Sequence, residues 1–145
     1  MSKISINKVQ DAFNSAIRRR DCRCMVRDFE PCYGSLEASH FYTVGGNPAL
    51  RFYPPNAWTQ CSKHHWNHHN KSAKTYVLWM QENKAKELEY MQSARSRYIK
   101  YDDETKAEIM RLCDEDRLDE LQRMIEVKLG VRGAAQETVC GEICP

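Results

Sequence analysis

The sequence predicts an α+β fold: a small ββα core, cross-linked through cysteine and histidine side chains, with an N-terminal helix before it and a C-terminal helical extension after it. Three observations predict it. Two short segments rich in aromatic and apolar residues, 36–42 and 57–60, flank a loop dense in glycine and proline. Cysteines and histidines gather at 22–32 and 61–69, beside those segments. Apolar residues recur at helical spacing toward both ends of the chain.

The first helix is expected over residues 5–19, where Ile6, Val9, Phe13, Ala16 and Ile17 form one face and Ser5 or Asn7 supplies the cap. Arg18, Arg19 and Arg20 close it, where cations suit the carbonyl end and could also touch phosphate. Residues 21–35 read as a loop carrying three cysteines. Leu36 to Tyr42 is the first strand. Thr43 to Pro48 follows as a loop, whose Gly45 and Gly46 allow positive φ and a close backbone approach to a ligand. Arg51, Phe52 and Tyr53 could begin a second strand, interrupted by Pro54 and Pro55 and continued from Ala57 to Gln60. Helix is expected after Cys61, with Tyr76, Val77, Trp79 and Met80 on an apolar stripe that Leu88, Met91, Ala94 and Tyr98 continue. Asp102 or Asp103 caps a helix containing Ile109, Met110 and Leu112. A last one carries Leu118, Leu121, Met124, Ile125 and Leu129 and stops at Gly130. The implied divisions are 1–20, 21–82, 83–130 and a polar, mobile tail, 131–145.

At 145 residues, with 29% charged and 41% hydrophobic residues, the chain has the size and composition of one globular domain. No run of about 18 apolar residues occurs, so no membrane span or membrane partner is expected. MSKISINKVQ lacks the apolar stretch of a signal peptide, which points to a cytoplasmic protein. The cysteine count of seven is odd, and without a signal peptide it argues against a secreted disulfide scaffold and for metal ligation. Charge is uneven. Residues 1–76 hold eleven Lys/Arg and five Asp/Glu, four of the seven cysteines and all five histidines, whereas 77–145 hold eleven and fifteen. A basic, ligand-rich half suits an anionic substrate.

The metal signal is a pair of pairs. Cys24 and Cys32 are separated by seven residues, and Cys61 and His64 by two, a gap that lets a tight turn aim two side chains at one tetrahedral zinc ion. Cys22 competes with Cys24 for the first place. In HHWNHH, His64/His68 and His65/His69 are both i,i+4 pairs, and His65 with His69 could hold a second metal while His64 serves the first. A ββα unit would set His40, in the strand LEASHFY, opposite those helix ligands, where it could deprotonate a water beside a metal-bound phosphate. Glu37, three residues before His40, alternates to the other strand face and makes a poor further ligand. Arg51 could reach a phosphate or brace a carboxylate. Lys63, Lys71 and Lys74 along the helix start could also reach phosphate. The C-terminal Cys140-x3-Cys144 pair has no assigned role.

EASHF, GGNPALRF, NAWTQC and the C-x2-H-H knuckle resemble the phage HNH (His-Me finger) endonucleases of the NinG recombination-protein type, and CMVRDFEPCYG resembles the first zinc knuckle of YbcO-like prophage nucleases. The resemblance covers about residues 22–80 and continues more loosely through YDDETKAEI. It implies a zinc-stapled ββα core in which His40 is the general base and Asn56 pins the loop that orients it. His65 and, one turn on, His69 would bind catalytic Mg²⁺ or Mn²⁺, with structural Zn²⁺ on Cys24, Cys32, Cys61 and His64. Two departures stand out: His64 replaces a usual cysteine, and Ser39 stands where many HNH enzymes carry a metal ligand. The implied activity is metal-dependent hydrolysis of DNA phosphodiesters in a bacterial host's cytoplasm, with branched recombination or replication intermediates as a substrate class and a homodimer through the C-terminal helices as a possible assembly. The alternative expectation is a non-catalytic zinc module that binds DNA or a protein.

Overall fold

The computed structural model describes residues 3–131; the Cys140 and Cys144 pair and the expected tail beyond Val131 lie outside the described residues. Helix α1 spans Ile6–Asp21, with the Ser5 hydroxyl accepting from the Asn7 N–H. It buries Val9, Phe13, Ala16 and Ile17, the expected face. A long loop leads to strand β1, Leu36–His40, which pairs antiparallel with β2, Ala57–Cys61, in the register Leu36 to Cys61 and His40 to Ala57. β2 runs directly into α2, Ser62–Asn70, followed by α3, Lys74–Asn83, and α4, Ala85–Ala94. Helices α5, Asp103–Asp114, and α6, Leu118–Leu129, complete the order, with Asp102 as N-cap of α5 and Gly130 in the left-handed conformation after α6.

β2 is buried along its whole length, because α1 lies on the two-stranded sheet and its last turn grips the strand. Arg20 stacks 3.9 Å over Trp58 and donates to the carbonyls of Ala57 and Pro54, while the Asp21 carboxylate accepts from the Thr59 N–H at 2.8 Å. Arg19 pairs with Asp116 and reaches the Cys113 carbonyl, linking α1 to the end of α5. Thus Arg19 and Arg20 act as internal braces. α5 packs along α1 and α6 packs on the turn at Pro54–Asn56, so one apolar cluster runs continuously from Val9 through the sheet to Leu129. Of the expected stripes of the last two helices, Ile109, Leu112, Leu118, Leu121, Ile125 and Leu129 are buried in this cluster, while Met110 and Met124 pack against it only partly buried. No described helix is long and apolar enough to cross a membrane.

Three local expectations fail. Arg51, Phe52 and Tyr53 form no strand: 3₁₀ turns at Pro48–Leu50 and Pro54–Asn56 bracket them, since prolines remove the N–H groups a ladder needs. Phe52 and Tyr53 are apolar because they are core residues. Tyr98 does not continue the α4 stripe; that helix ends at Ala94 and Tyr98 is exposed. The glycine with positive φ before α2 is Gly34, at φ +90°, not Gly45 or Gly46. A Cβ on Gly34 would stand 1.8 Å from Ser62 Oγ, so the cysteine loop approaches α2 as closely as it does only with glycine there.

The attachment of α6 has one polar contact that can be tested. The buried Tyr53 hydroxyl donates to Glu126 Oε2 at 2.6 Å. Tyr53→Phe is expected to lower unfolding free energy by about 1–3 kcal/mol, the usual cost of depriving a buried carboxylate of a donor, as read from urea denaturation.

Candidate functional site: a Cys3His cluster and a histidine-lined hollow

The junction of β2 and α2 organises two groups of side chains. On one side, Cys24, Cys32, Cys61 and His64 offer ligand atoms that all lie within 4.8 Å of one another, a set that could hold a metal ion. Cys24 Sγ and Cys61 Sγ stand 3.3 and 3.2 Å from His64 Nδ1. Donors on a tetrahedral ion of zinc's size stand about 3.5–3.8 Å apart, so the cluster fits with small adjustments, and three thiols with one imidazole is a zinc-type donor set. The Glu30 carboxylate lies 3.5 Å from the other ring nitrogen, His64 Nε2, an ion-pair distance rather than a hydrogen bond. A carboxylate behind a ligating imidazole is the usual means of fixing its orientation. Burial drives the Cys24 thiol up to about 12, whereas Cys61, although also partly desolvated, is held below its ordinary value by the backbone N–H groups of His64 and Tyr33. A bound cation would draw the thiolate form from all three cysteines. Cys22 stands apart: it is exposed at the C-cap of α1, with its sulfur against the Arg19 carbonyl, so Cys24 is the member of the cluster.

On the other side of α2 lies an open hollow of about 400 Å³, lined by His40, Arg51, His65 and His69 together with Gln10 and Asn14 of α1. His40, the last residue of β1, stacks on Phe13 and hydrogen-bonds through Nε2 to the Arg51 carbonyl at 2.9 Å. A carbonyl only accepts, so Nε2 carries the proton and Nδ1 is the basic nitrogen. Burial lowers the His40 pKa to about 4, which keeps the imidazole neutral at physiological pH.

Asn56 is fully buried and does not reach His40. Its amide donates to the carbonyls of Tyr42 and Leu50 and accepts from the Tyr42 N–H at 2.9 Å, fixing both ends of the loop that presents the Arg51 carbonyl to His40.

His65 and His69 stack one turn apart, with ring centres at 5.0 Å. His65 Nδ1 donates to Glu37 Oε1 at 2.7 Å, which leaves Nε2 with the lone pair. Burial and the neighbouring His65 lower the pKa of His69. Glu37 corrects the expectation from strand alternation. Its carboxylate touches the helix all the same, because alternation fixes the Cβ direction, and a glutamate on an open edge strand has a further methylene and the carboxylate itself with which to curl round. Ser39, on the strand face opposite His40, is fully buried and its carbonyl accepts from the Tyr76 hydroxyl.

Arg51 neither grips a carboxylate nor is free: its Nε donates to the neutral amide of Gln10 at 2.7 Å. Gln10 and Asn14, bonded to each other, are site residues that sequence reasoning missed; their i,i+4 spacing on the polar side of α1 was the available signal. Lys63, Lys71 and Lys74 are exposed and do not line the hollow. Lys63 Nζ lies 3.5 Å from the Pro31 carbonyl, and Lys71 stands near Trp66. His68 turns away from His65 and packs against Phe41 and Tyr76.

The sequence matches the family described as Bacteriophage Lambda NinG protein over residues 2–123. The chain belongs to the NinG family. The match runs from α1 into α6, so the NinG unit takes in the C-terminal helices as well as the cysteine and histidine segments. No curated protein and no solved structure matches the chain.

Metal content tests the ligand set. The purified protein is expected to carry about one tightly held metal ion per chain. His64→Ala should lose it and His64→Cys should retain it, while His68→Ala should leave metal content unchanged, as read by elemental analysis after extensive dialysis.

Proposed function

We propose that this NinG-family protein is an HNH-type endonuclease that hydrolyses DNA phosphodiesters, with zinc on Cys24, Cys32, Cys61 and His64 as its structural staple and recombination or replication intermediates as its substrates. The observation that carries the reading is the state of His40. It is a neutral imidazole whose Nε2 is tied to a backbone carbonyl, at the mouth of a hollow shared with two further imidazoles and an arginine.

His65 Nε2 and His69 are the residues that would hold a divalent ion, which would supply Lewis-acid charge to a phosphate oxygen. Two imidazoles fit Mn²⁺ or a later transition ion better than Mg²⁺, which prefers oxygen donors. His40 Nδ1 takes a proton from water as the water oxygen attacks phosphorus, and the P–O bond to the leaving sugar oxygen breaks, that oxygen taking up a proton from solvent. Arg51, held by Gln10, places a fixed positive charge beside the phosphate. Asn56 acts through the backbone by holding the loop whose carbonyl orients His40. Lys63, Lys71 and Lys74 contribute sequence-independent attraction to the DNA backbone.

The reading is tested by cleavage of supercoiled plasmid and of a branched DNA with Mn²⁺ or Mg²⁺. His40→Ala should keep its metal and cut about 10²–10⁴-fold more slowly. Because its pKa is depressed, His40 is already in its basic form well below neutrality, so wild-type kcat/KM should still be on its plateau at about pH 6, and the His40-dependent fall belongs at more acidic pH. A zinc-loaded wild type that cuts neither substrate with any divalent ion would support a non-catalytic zinc module instead. Glu37→Ala should raise the Mn²⁺ concentration for half-maximal cutting by about 10–100-fold, with little change in rate at saturating metal.

A further inference from the structure

Helix α2 has three working faces. His64 turns into the Cys3His cluster, and His65 with His69 turns into the hollow. The third face, Lys63, Trp66 and Asn70 at i, i+3 and i+7, is exposed. Trp66 is 54% exposed, whereas Trp58 and Trp79 are buried against each other, so only one of the three tryptophans is left out of the packing. Lys71 Nζ lies 5.7 Å from the Trp66 ring centre, and the Asn70 amide caps the Trp66 carbonyl. Tyr33, 80% exposed, is anchored to the first turn of this helix by the Lys63 N–H donating to its carbonyl. An exposed indole with a lysine beside it therefore stands on this helix, with Lys63 and Tyr33 exposed at its first turn.

Its charge is one-sided. No Asp or Glu occurs anywhere between Glu37 and Glu82, in a chain that has 20 acidic residues. The carboxylates that approach α2, those of Glu30 and Glu37, are turned toward His64 and His65. Rings spaced among unneutralised cations differ from a protein-docking patch, where apolar groups are contiguous and lysine is depleted. They match the chemistry of a nucleic-acid strand, which offers phosphate to the ammonium groups and a base face to the indole.

We infer that Trp66 is a base-stacking subsite for an unpaired nucleotide, held beside the His65–His69 pair, with Lys63 and Lys71 on the flanking phosphates. This deepens the nuclease reading and rests on it. In a continuous duplex every base face is covered by its neighbours, so Trp66 can stack only on a base that is unpaired or terminal. The subsite thus selects DNA with a single-stranded segment next to the cut.

The test uses the full, zinc-loaded chain in a His40→Ala background without added divalent ion, so that the DNA survives. Binding to fluorescein-labelled oligothymidylate of about 20 nucleotides, and to a duplex of the same length, is read by anisotropy at fixed salt. Trp66→Ala is expected to weaken oligothymidylate binding by about 10-fold or more, to change duplex binding by less than about 2-fold, and to abolish the quenching of tryptophan emission by the oligonucleotide. Trp66→Phe should keep most of the affinity. Unchanged oligothymidylate binding in Trp66→Ala, equal losses on both DNAs, or a change confined to self-association would overturn the subsite while plasmid cutting by the wild type still supported the nuclease. Failure of the parent to bind either DNA would overturn both.

Discussion

The rotational setting of α2 about its own axis governs everything else in the site. That setting is fixed at the strand–helix junction. Cys61 is both the last residue of β2 and the N-cap position of α2, and His64 is held with it in the Cys3His cluster. With two points of the first turn clamped, the remaining side chains have no rotational freedom. One residue on from His64, about 100° round the helix, His65 must face the other way, toward β1, and His69 follows one turn later. Residue 66 is turned a further 100° and reaches solvent. A metal ion in the cluster would act at a distance, by holding the phase of a nine-residue helix too short and too polar to hold it by its own packing.

The second half of the hollow is built with backbone groups. His40 closes β1 and is oriented by a carbonyl, and that carbonyl sits in a loop whose ends are fixed by the Asn56 amide. This arrangement suits a base. A carboxylate partner on His40 would raise its pKa and stabilise the imidazolium, whereas a neutral carbonyl in a desolvated setting selects the tautomer and leaves the ring unprotonated. His65 has the opposite kind of partner, the Glu37 carboxylate on Nδ1, which in the proposed site would hold the ring in place with Nε2 toward a metal. The two histidines line the same hollow with chemically different partners, a carbonyl on one and a carboxylate on the other.

Much of this was legible in the sequence for reasons that are local. Ser5, Asp102 and Gly130 mark helix ends through hydrogen bonds within a few residues, and the apolar periods of α1, α5 and α6 reflect a single buried face each. The pairing of Cys61 with His64 is likewise a property of one turn. What could not be read depends on parts of the chain that meet only after folding. Whether Cys22 or Cys24 joins the cluster depends on where α1 stops, because its left-handed C-cap turns Cys22 outward. Phe52 and Tyr53 look like strand residues, yet they are bulky because α1 and α6 converge on them. Gly34 is demanded by a serine 28 residues further on. Glu37 is the instructive case: the period-two rule assigns faces to Cβ atoms, and it fails for a long side chain on an edge where no third strand stands in its way.

The long acid-free segment has a physical consequence that links fold to charge. A globular surface ordinarily mixes signs, and 44 consecutive residues without a carboxylate leave the positive charge of Arg51, Lys63, Lys71 and Lys74 locally uncompensated. Carboxylates are concentrated elsewhere in the chain: Arg111 of α5 and Arg117, before α6, are held in ion pairs with Glu108, Glu115 and Glu120. Like charges close together destabilise the folded chain, and the Cys3His cluster and the apolar cluster must offset that cost. The nucleic-acid strand proposed as ligand would lower that repulsion, its phosphates meeting the lysines and a base covering the exposed indole of Trp66.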